Sequence, residues 1–445
     1  MLLAREYAGQ AIDPFEAPAA AYIHIPFCRR RCFYCDFPIS VVGDRPPITD
    51  QKSGVGSQGE AVVRDRINGS NSGAIAHYVE VLCQEIGCTP SQGHELETIF
   101  LGGGTPSLLS VEQLEQILHT LDQRFGIGAE AEISMEIDPA TFDLEQVRGY
   151  RLAGVNRVSL GVQAFQPELL AACGRSHTVE DIARAIELIH QAGFQNISLD
   201  LISGLPHQTL DHWQESLERA IALFPTHLSC YDLTIEAGTP FSRQYKPGVT
   251  PLPSDETAAD MYRLAQKTLT AAGFDHYEIS NYARPGYQCR HNRVYWENRP
   301  FYGFGMGATS YVRGDRFARP RKTREYYAWV EEMQAALDSG ISPFTSPVTP
   351  SSHDLLLDRL MLGLRLAEGL SLFALSQTFG QETVERIWKR LQPYHQKGWV
   401  EVQGNPGAIA PDETIPPVPG RIKLTDPEGF LFSNVILSTL FEEFS

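Results

Sequence analysis

The sequence predicts an α/β protein: a partial barrel of six βα units followed by a small C-terminal winged-helix-like α/β domain. Three observations predict it. From Tyr22 to Leu233, short β-rich runs alternate with longer amphipathic stretches, the pattern of parallel strands joined by helices. Polar caps follow the strands, because Ser110 with Gln113 and Thr178 with Asp181 have capping-box spacing ahead of apolar-periodic runs. Past a break near Pro343–Pro350 the alternation gives way to helical patterns and a strand pair.

In chain order, residues 1–20 read as an N-terminal extension. Strands follow at Tyr22–Ile25, Thr98–Leu101, Glu132–Ile137, Arg157–Gly161, Asn196–Leu201 and His227–Leu233, each ending in turn residues before an amphipathic helix. Residues 41–76 read as a flexible insertion, since Gly, Ser, Pro and Asp dominate runs such as Ser53-Gly54-Val55-Gly56-Ser57 and Asn68-Gly69-Ser70-Asn71-Ser72-Gly73. The barrel and its associated segment occupy 21–342. Within 343–445, helices are predicted at Asp354–Ala367 and Thr383–Gln392 and strands at Trp399–Val402 and Arg421–Leu424. The proline-broken stretch Gly404–Gly420 forms the loop between those strands, and the hairpin ends the domain.

Composition narrows the function. Across 445 residues, 37 Lys and Arg stand against 54 Asp and Glu, a net charge of −17. Such a chain repels phosphate backbones, and the C-terminal domain has no Lys/Arg-rich recognition stretch, so a nucleic-acid partner is not expected. No apolar run reaches the ~18–20 residues that span a bilayer, and the start Met1-Leu2-Leu3-Ala4-Arg5-Glu6 lacks a signal-peptide layout. The expected location is the cytoplasm. Eight cysteines are too sparse for a secreted disulfide framework, and three of them fall in Cys28-Arg29-Arg30-Arg31-Cys32-Phe33-Tyr34-Cys35, a cluster that points to metal.

This CxxxCxxC directly follows the first strand. Three thiolates on one loop can hold three irons of a four-iron four-sulfur cluster and leave the fourth iron open, with Arg29, Arg30 and Arg31 offsetting negative charge. A zinc site is the alternative, and it needs a fourth ligand, His24 or Asp36 being nearest. Active sites in such sheets lie at the carboxyl ends of the strands, which singles out further residues. Phe100-Leu101-Gly102-Gly103-Gly104-Thr105-Pro106-Ser107 follows the second strand, where glycines let backbone approach a ligand. Glu136 near the end of the third strand can accept hydrogen bonds from two ribose hydroxyls, or stand as a solvated acid. Gln163, Arg175 and Asp200 continue the series, Arg175 as a partner for a carboxylate.

CxxxCxxC after strand one of a βα barrel resembles the radical S-adenosylmethionine (SAM) proteins. The resemblance implies that the open iron chelates the methionyl amino and carboxylate groups of SAM. One electron from the cluster then gives a 5′-deoxyadenosyl radical. It further implies that Gly103, Gly104 and Thr105 meet the methionyl amino group and that Tyr22, which otherwise reads as a packing aromatic, touches SAM.

The run Tyr22-Ile23-His24-Ile25-Pro26-Phe27-Cys28, together with Gly102–Ser107, Gly161–Phe165, Asp200–Gln208 and the C-terminal module, is similar to the oxygen-independent coproporphyrinogen III oxidase family over nearly the whole chain outside 41–76. That family contains true oxidases, which carry a fourth cysteine two positions after the third, and HemW-type haem chaperones, which carry HNxxYW. This chain has Phe37 at the former position and His291-Asn292-Arg293-Val294-Tyr295-Trp296 for the latter. The chaperone branch therefore fits better, and the alternative is oxidative decarboxylation of coproporphyrinogen III propionates. The resemblance implies a cluster, SAM and haem as cofactors. Its partners would be a haem-acceptor apoprotein and an electron donor such as a flavodoxin or ferredoxin. An imidazole can ligate haem iron and aromatic rings can face a porphyrin, so His291, Tyr295 and Trp296 are haem candidates, although a lone histidine beside Tyr and Trp is also a common packing arrangement. Gly303-Phe304-Gly305-Met306-Gly307-Ala308 reads as a place of close backbone approach to cofactor or porphyrin, following no strand.

Overall fold

A computed structural model describes residues 16–43, 68–340, 350–404 and 420–444. Among them, nine strands form one sheet. In chain order these are β1 (Ala20–Ile25), β2 (Leu96–Gly103), β3 (Ile127–Ile137), β4 (Arg157–Gln163), β5 (Asn196–Ser203), β6 (His227–Asp232), β7 (Asp275–Glu278), β8 (Asn281–Ala283) and β9 (Tyr302–Phe304). Their order in space is β9-β1-β2-β3-β4-β5-β6-β8-β7. The six predicted strands lie consecutively and pair in parallel. Apolar side chains such as Ile23, Leu101, Met135, Leu160, Leu199 and Leu228 are buried along them, alternating with buried polar ones such as His24, Ser134, Ser159, Ser198 and Ser229.

Helices α1 (Gly73–Cys88), α2 (Val111–Phe125), α3 (Leu144–Leu152), α4 (Val179–Gln191) and α5 (Leu210–Ala222) connect them. The capping boxes at Ser110/Gln113 and Thr178/Asp181 are both formed. Each satisfies two of the amide donors that a helix start leaves open.

Three features depart from the sequence reading. The insertion does not extend to Ala76, because Ser72 caps α1 and the chain is helical from Gly73; residues 44–67 lie outside the described residues. Tyr302–Phe304 is a strand, pairing in parallel with β1; Gly303 and Gly305 meet packed neighbours, whereas Gly307 and Ala308 line a cavity. A Cβ on Gly303 would fall 2.1 Å from the Thr309 carbonyl oxygen, and one on Gly305 would fall 2.5 Å from the Tyr78 hydroxyl. The antiparallel pair β7–β8 closes the far edge against β6, from runs too short to give a periodicity.

The C-terminal region has its own core around Leu360, Leu372, Ile387, Trp388, Ile422 and Ile436. Strands Val400–Gly404 and Gly420–Leu424 pair as expected, joined by a third, Leu370–Ser371. The predicted helices run over Ser352–Gly363 and Gln381–Gln396, the second continuing through Pro393. Helices Leu372–Phe379 and Ser433–Phe444 are additional, so the domain ends in a helix, packed on helices Gln381–Gln396 and Ser352–Gly363, rather than in the hairpin.

Candidate functional site

The cysteine loop leaves β1 and is fastened at several points. Phe27–Cys28 pairs in parallel with Ser40–Val41. The Phe33 amide donates to the Cys173 carbonyl at 2.9 Å, and the Phe241 amide donates to the Phe33 carbonyl at 3.0 Å. Two of the three arginines act as staples. Arg31 donates to the carbonyls of Cys35, Phe37 and Ile39 at 3.2, 3.2 and 3.3 Å, and Arg29 donates to Ala140 at 2.8 Å.

Cys28, Cys32 and Cys35 line one cavity together with Gly103, Gly104, Thr105, Glu136, Gln163, Arg175 and Asp200. The structure thus brings ten of the sequence candidates to one place. The Thr105 hydroxyl donates to Cys28 Sγ and Arg175 Nη1 to Cys32 Sγ, both at 3.5 Å. Burial pushes the Cys28 thiol up to about 12 and raises Cys35 as well, so thiolates here require a cation beside them, as coordinated iron provides. The donor set fits an iron-sulfur cluster. Neither candidate for the fourth ligand of zinc joins the cysteines: His24 is held at both ring nitrogens, by the Tyr22 hydroxyl and the Pro38 carbonyl at 3.0 Å each, and Asp36, like His24, is absent from the lining of this cavity. Among the described residues no three His, Cys, Asp or Glu side chains converge on a single-ion site. A cubane, whose irons take one thiolate each, spaces its ligands more widely.

The surroundings also suit an amino acid moiety. The amides of Gly103, Gly104 and Thr105 donate to Glu136 Oε2 and to the carbonyls of Ile25 and Phe27, at 2.9, 2.9 and 2.7 Å. What this turn can still offer a ligand is carbonyl oxygen, the partner an ammonium needs. Arg175 pairs with Asp138 and donates to the Gly161 carbonyl at 2.9 Å, while its buried Nε has no partner among the described residues. Gln163 sits at a bulge in the β4–β5 pairing with φ of 67°, a backbone strain that marks functional positions. Glu136 is raised to about 7, first by burial and then by the neighbouring Asp200. Asp200 is raised by burial too, and Ser159 donates to its two oxygens at 2.9 and 3.1 Å.

A second cavity adjoins the first and shares Phe37, Glu136, Ser159, Asp200 and Tyr231 with it. Tyr22, Phe100, His291 and Tyr295 line it, with Arg157 and Arg321. Trp296 is not among the lining residues; its ring packs under Arg365, 5.7 Å from the guanidinium. His291 is fully buried, with Nδ1 bonded to the Thr98 hydroxyl and Nε2 to the Tyr295 hydroxyl, both 2.9 Å. As placed, it has no free nitrogen for iron. Its short helix α6 (Arg290–Trp296) is anchored by Glu132, which accepts from the amides of Arg290 and His291 at 3.0 and 3.1 Å.

The sequence reading passed over Asp138, Arg157, Tyr231 and Arg321. Asp138 follows β3 by one residue, so the strand-end rule could have found it. Arg157 opens β4 and is 1 % exposed; a charged residue at the amino end of a strand carries no signal that it will line a cavity.

Residues 22–220 match the family model for the radical SAM superfamily, and residues 351–405 match the HemN C-terminal domain. The chain is 48 % identical over 425 residues to a protein of Synechocystis sp. described as heme chaperone HemW, covering 95 % of this chain and 96 % of that one. A protein of Bacillus subtilis with the same description is 33 % identical over 384 residues, covering 86 % and 92 %. The solved structure of coproporphyrinogen III oxidase (HemN) from Escherichia coli superposes with a TM-score of 0.71 over 96 % of this chain and 90 % of that one, at 23 % identity, a likeness of fold. Among the described residues no helix is long and apolar enough to cross a membrane.

Proposed function

Because this chain belongs to the heme chaperone HemW family of radical SAM proteins, we propose that it binds haem and passes it to an acceptor apoprotein. It does so while holding a four-iron four-sulfur cluster on Cys28, Cys32 and Cys35 with SAM beside it. The observation that carries the reading is the pair of adjoining cavities. One is lined by the three cysteines and the SAM candidates other than Tyr22, and the other by Tyr22 with further aromatic, charged and polar side chains, so two ligands can lie side by side.

When bound, the cluster supplies an open iron to chelate SAM and an electron for it. The chain's own residues do the rest. Arg175, locked by Asp138, presents its guanidinium to a carboxylate and screens Cys32. Glu136, fixed by the Gly103 amide, receives the ribose hydroxyls, and Thr105 supports Cys28. Tyr22 stacks on Phe100 with ring centres 6.3 Å apart, giving a flat face in the second cavity. The protein acts in the cytoplasm, with an electron donor such as a flavodoxin or ferredoxin.

The test is an anaerobic haem titration of the cluster-reconstituted protein, followed at the Soret band, with coproporphyrinogen III offered to the same preparation. Saturable haem uptake without porphyrinogen turnover is the expected result. Turnover to protoporphyrinogen with no haem uptake would overturn the chaperone reading in favour of the oxidase.

A further inference from the structure

The second cavity has the chemistry of a tetrapyrrole seat, and resting on the chaperone reading above, we infer that the ligand it offers haem iron is the phenolic oxygen of Tyr295, with His291 as its positioning partner. Three observations carry this. Five aromatic rings, of Tyr22, Phe37, Phe100, Tyr231 and Tyr295, line one space, beside the carboxyl groups of Asp36, Glu136 and Asp200. Phe37 and Tyr231 stay 55 % and 44 % exposed at positions shared with the neighbouring cavity, which places apolar ring surface at an opening where a flat macrocycle could cover it. The cavity also contains two guanidiniums suited to propionates. Arg157 is 1 % exposed with its Nε unpartnered among the described residues, and Arg321 donates to the Asp36 carbonyl at 3.1 Å.

The choice of ligand follows from the hydrogen bonds. Iron binding to His291 would require breaking either the Thr98 or the Tyr295 bond and exposing a ring with no accessible surface. Tyr295 lines the cavity and uses its hydroxyl toward His291 Nε2 at 2.9 Å, and a hydroxyl so engaged keeps lone pairs for a metal. Tyrosinate is an established axial ligand of ferric haem.

On coordination, the Fe–O bond replaces the O–H bond of Tyr295 and displaces water from iron. The phenol proton passes to Nε2, the Nδ1 proton leaves to solvent, and the Thr98 hydroxyl turns from acceptor to donor. The imidazole exchanges tautomers and stays neutral, and Nε2–H then donates to the bound oxygen.

The test uses cluster-reconstituted wild type, Tyr295→Phe, His291→Ala and Thr98→Val, each loaded with ferric haem and read by visible absorption, electron paramagnetic resonance and resonance Raman spectroscopy. Retention of the iron-sulfur chromophore controls for folding. The wild type is expected to show a high-spin tyrosinate spectrum with Raman modes of the phenolate. Tyr295→Phe should lose those modes and bind haem at least tenfold more weakly. His291→Ala and Thr98→Val should keep them at shifted frequency. An imidazole-ligated spectrum that survives Tyr295→Phe and vanishes in His291→Ala would overturn the assignment and leave the chaperone reading standing. Tyrosinate modes that survive Tyr295→Phe would place the ligand on another tyrosine and overturn it equally. Failure of the cluster-loaded wild type to take up haem would overturn both.

Discussion

Glu136 shows how much of this site rests on single groups. Its carboxylate is the acceptor form, and burial with Asp200 nearby raises its titration to about 7. SAM affinity is therefore expected to rise as the pH rises through about 7 and to level off above it, while Glu136→Gln should bind weakly with no such dependence. Equilibrium SAM binding to the reconstituted protein between about pH 6 and 8 measures it; a wild-type curve flat across that range would contradict the role. For the cluster, Cys28→Ser, Cys32→Ser or Cys35→Ser should each abolish the iron-sulfur chromophore, and a full chromophore surviving all three would exclude these ligands. The cysteines were legible from their CxxxCxxC spacing after the first strand, and Glu136 from its place near the carboxyl end of the third. The state of His291 was not: its partners Thr98 and Tyr295 come from β2 and from its own helix, and only folding brings Thr98, 193 positions away, to Nδ1.

At the scale of elements, the glycine turn after β2 presses directly on the cysteine loop. Gly103 has a φ of 111°, and a Cβ there would lie 2.4 Å from the His24 ring. A Cβ on Gly104 would lie 2.7 Å from the Phe27 carbonyl oxygen, immediately before Cys28. Gly104→Ala is thus expected to displace the loop and lower iron occupancy after reconstitution, while far-ultraviolet circular dichroism stays near wild type; unchanged iron content would show that the loop tolerates the shift. Ser110→Ala, which removes the cap of α2, should cost about 1 kcal/mol by chemical denaturation without touching the cluster. Helix starts and parallel strands were readable since caps and apolar runs are local. The short strands β7, β8 and β9 escaped because three or four residues cannot show a period, and their existence depends on the sheet edges they join.

Over the whole molecule, two apolar cores meet along the β7–β8 edge. The Ile279 amide donates to the Arg365 carbonyl at 3.1 Å, and the Ala367 amide to the Tyr277 carbonyl at 3.0 Å. Arg263 grips Glu428 through two bonds of 2.7 and 3.0 Å. Between these contacts Glu278 is fully buried, accepts from Asn281 and the Ser280 amide, and is raised from 4.5 to about 7 by burial. A raised acid holds its proton more tightly in the folded state, so its contribution is full below about 4.5 and lost as the pH rises through about 7. Glu278→Gln should therefore lose less stability than wild type between about pH 5 and 8 in denaturant titrations of the apoprotein, and parallel pH profiles would contradict it.

The linear order of residues was enough to determine the six-fold βα repeat, the cysteine loop after the first strand and the acids and glycines at later strand ends. Each is written in local periodicity, caps and spacing. Tertiary structure alone decided which groups remain available to a ligand. It closed both nitrogens of His291, turned Trp296 toward Arg365, joined Arg175 to Asp138 and set Arg157 with Phe37 and Tyr231 in a cavity beside the cysteines. The reason is physical: burial and hydrogen-bond pairing are made between segments far apart in the chain. A residue's type says what it can bind, and its neighbours in space say whether that capacity is already taken.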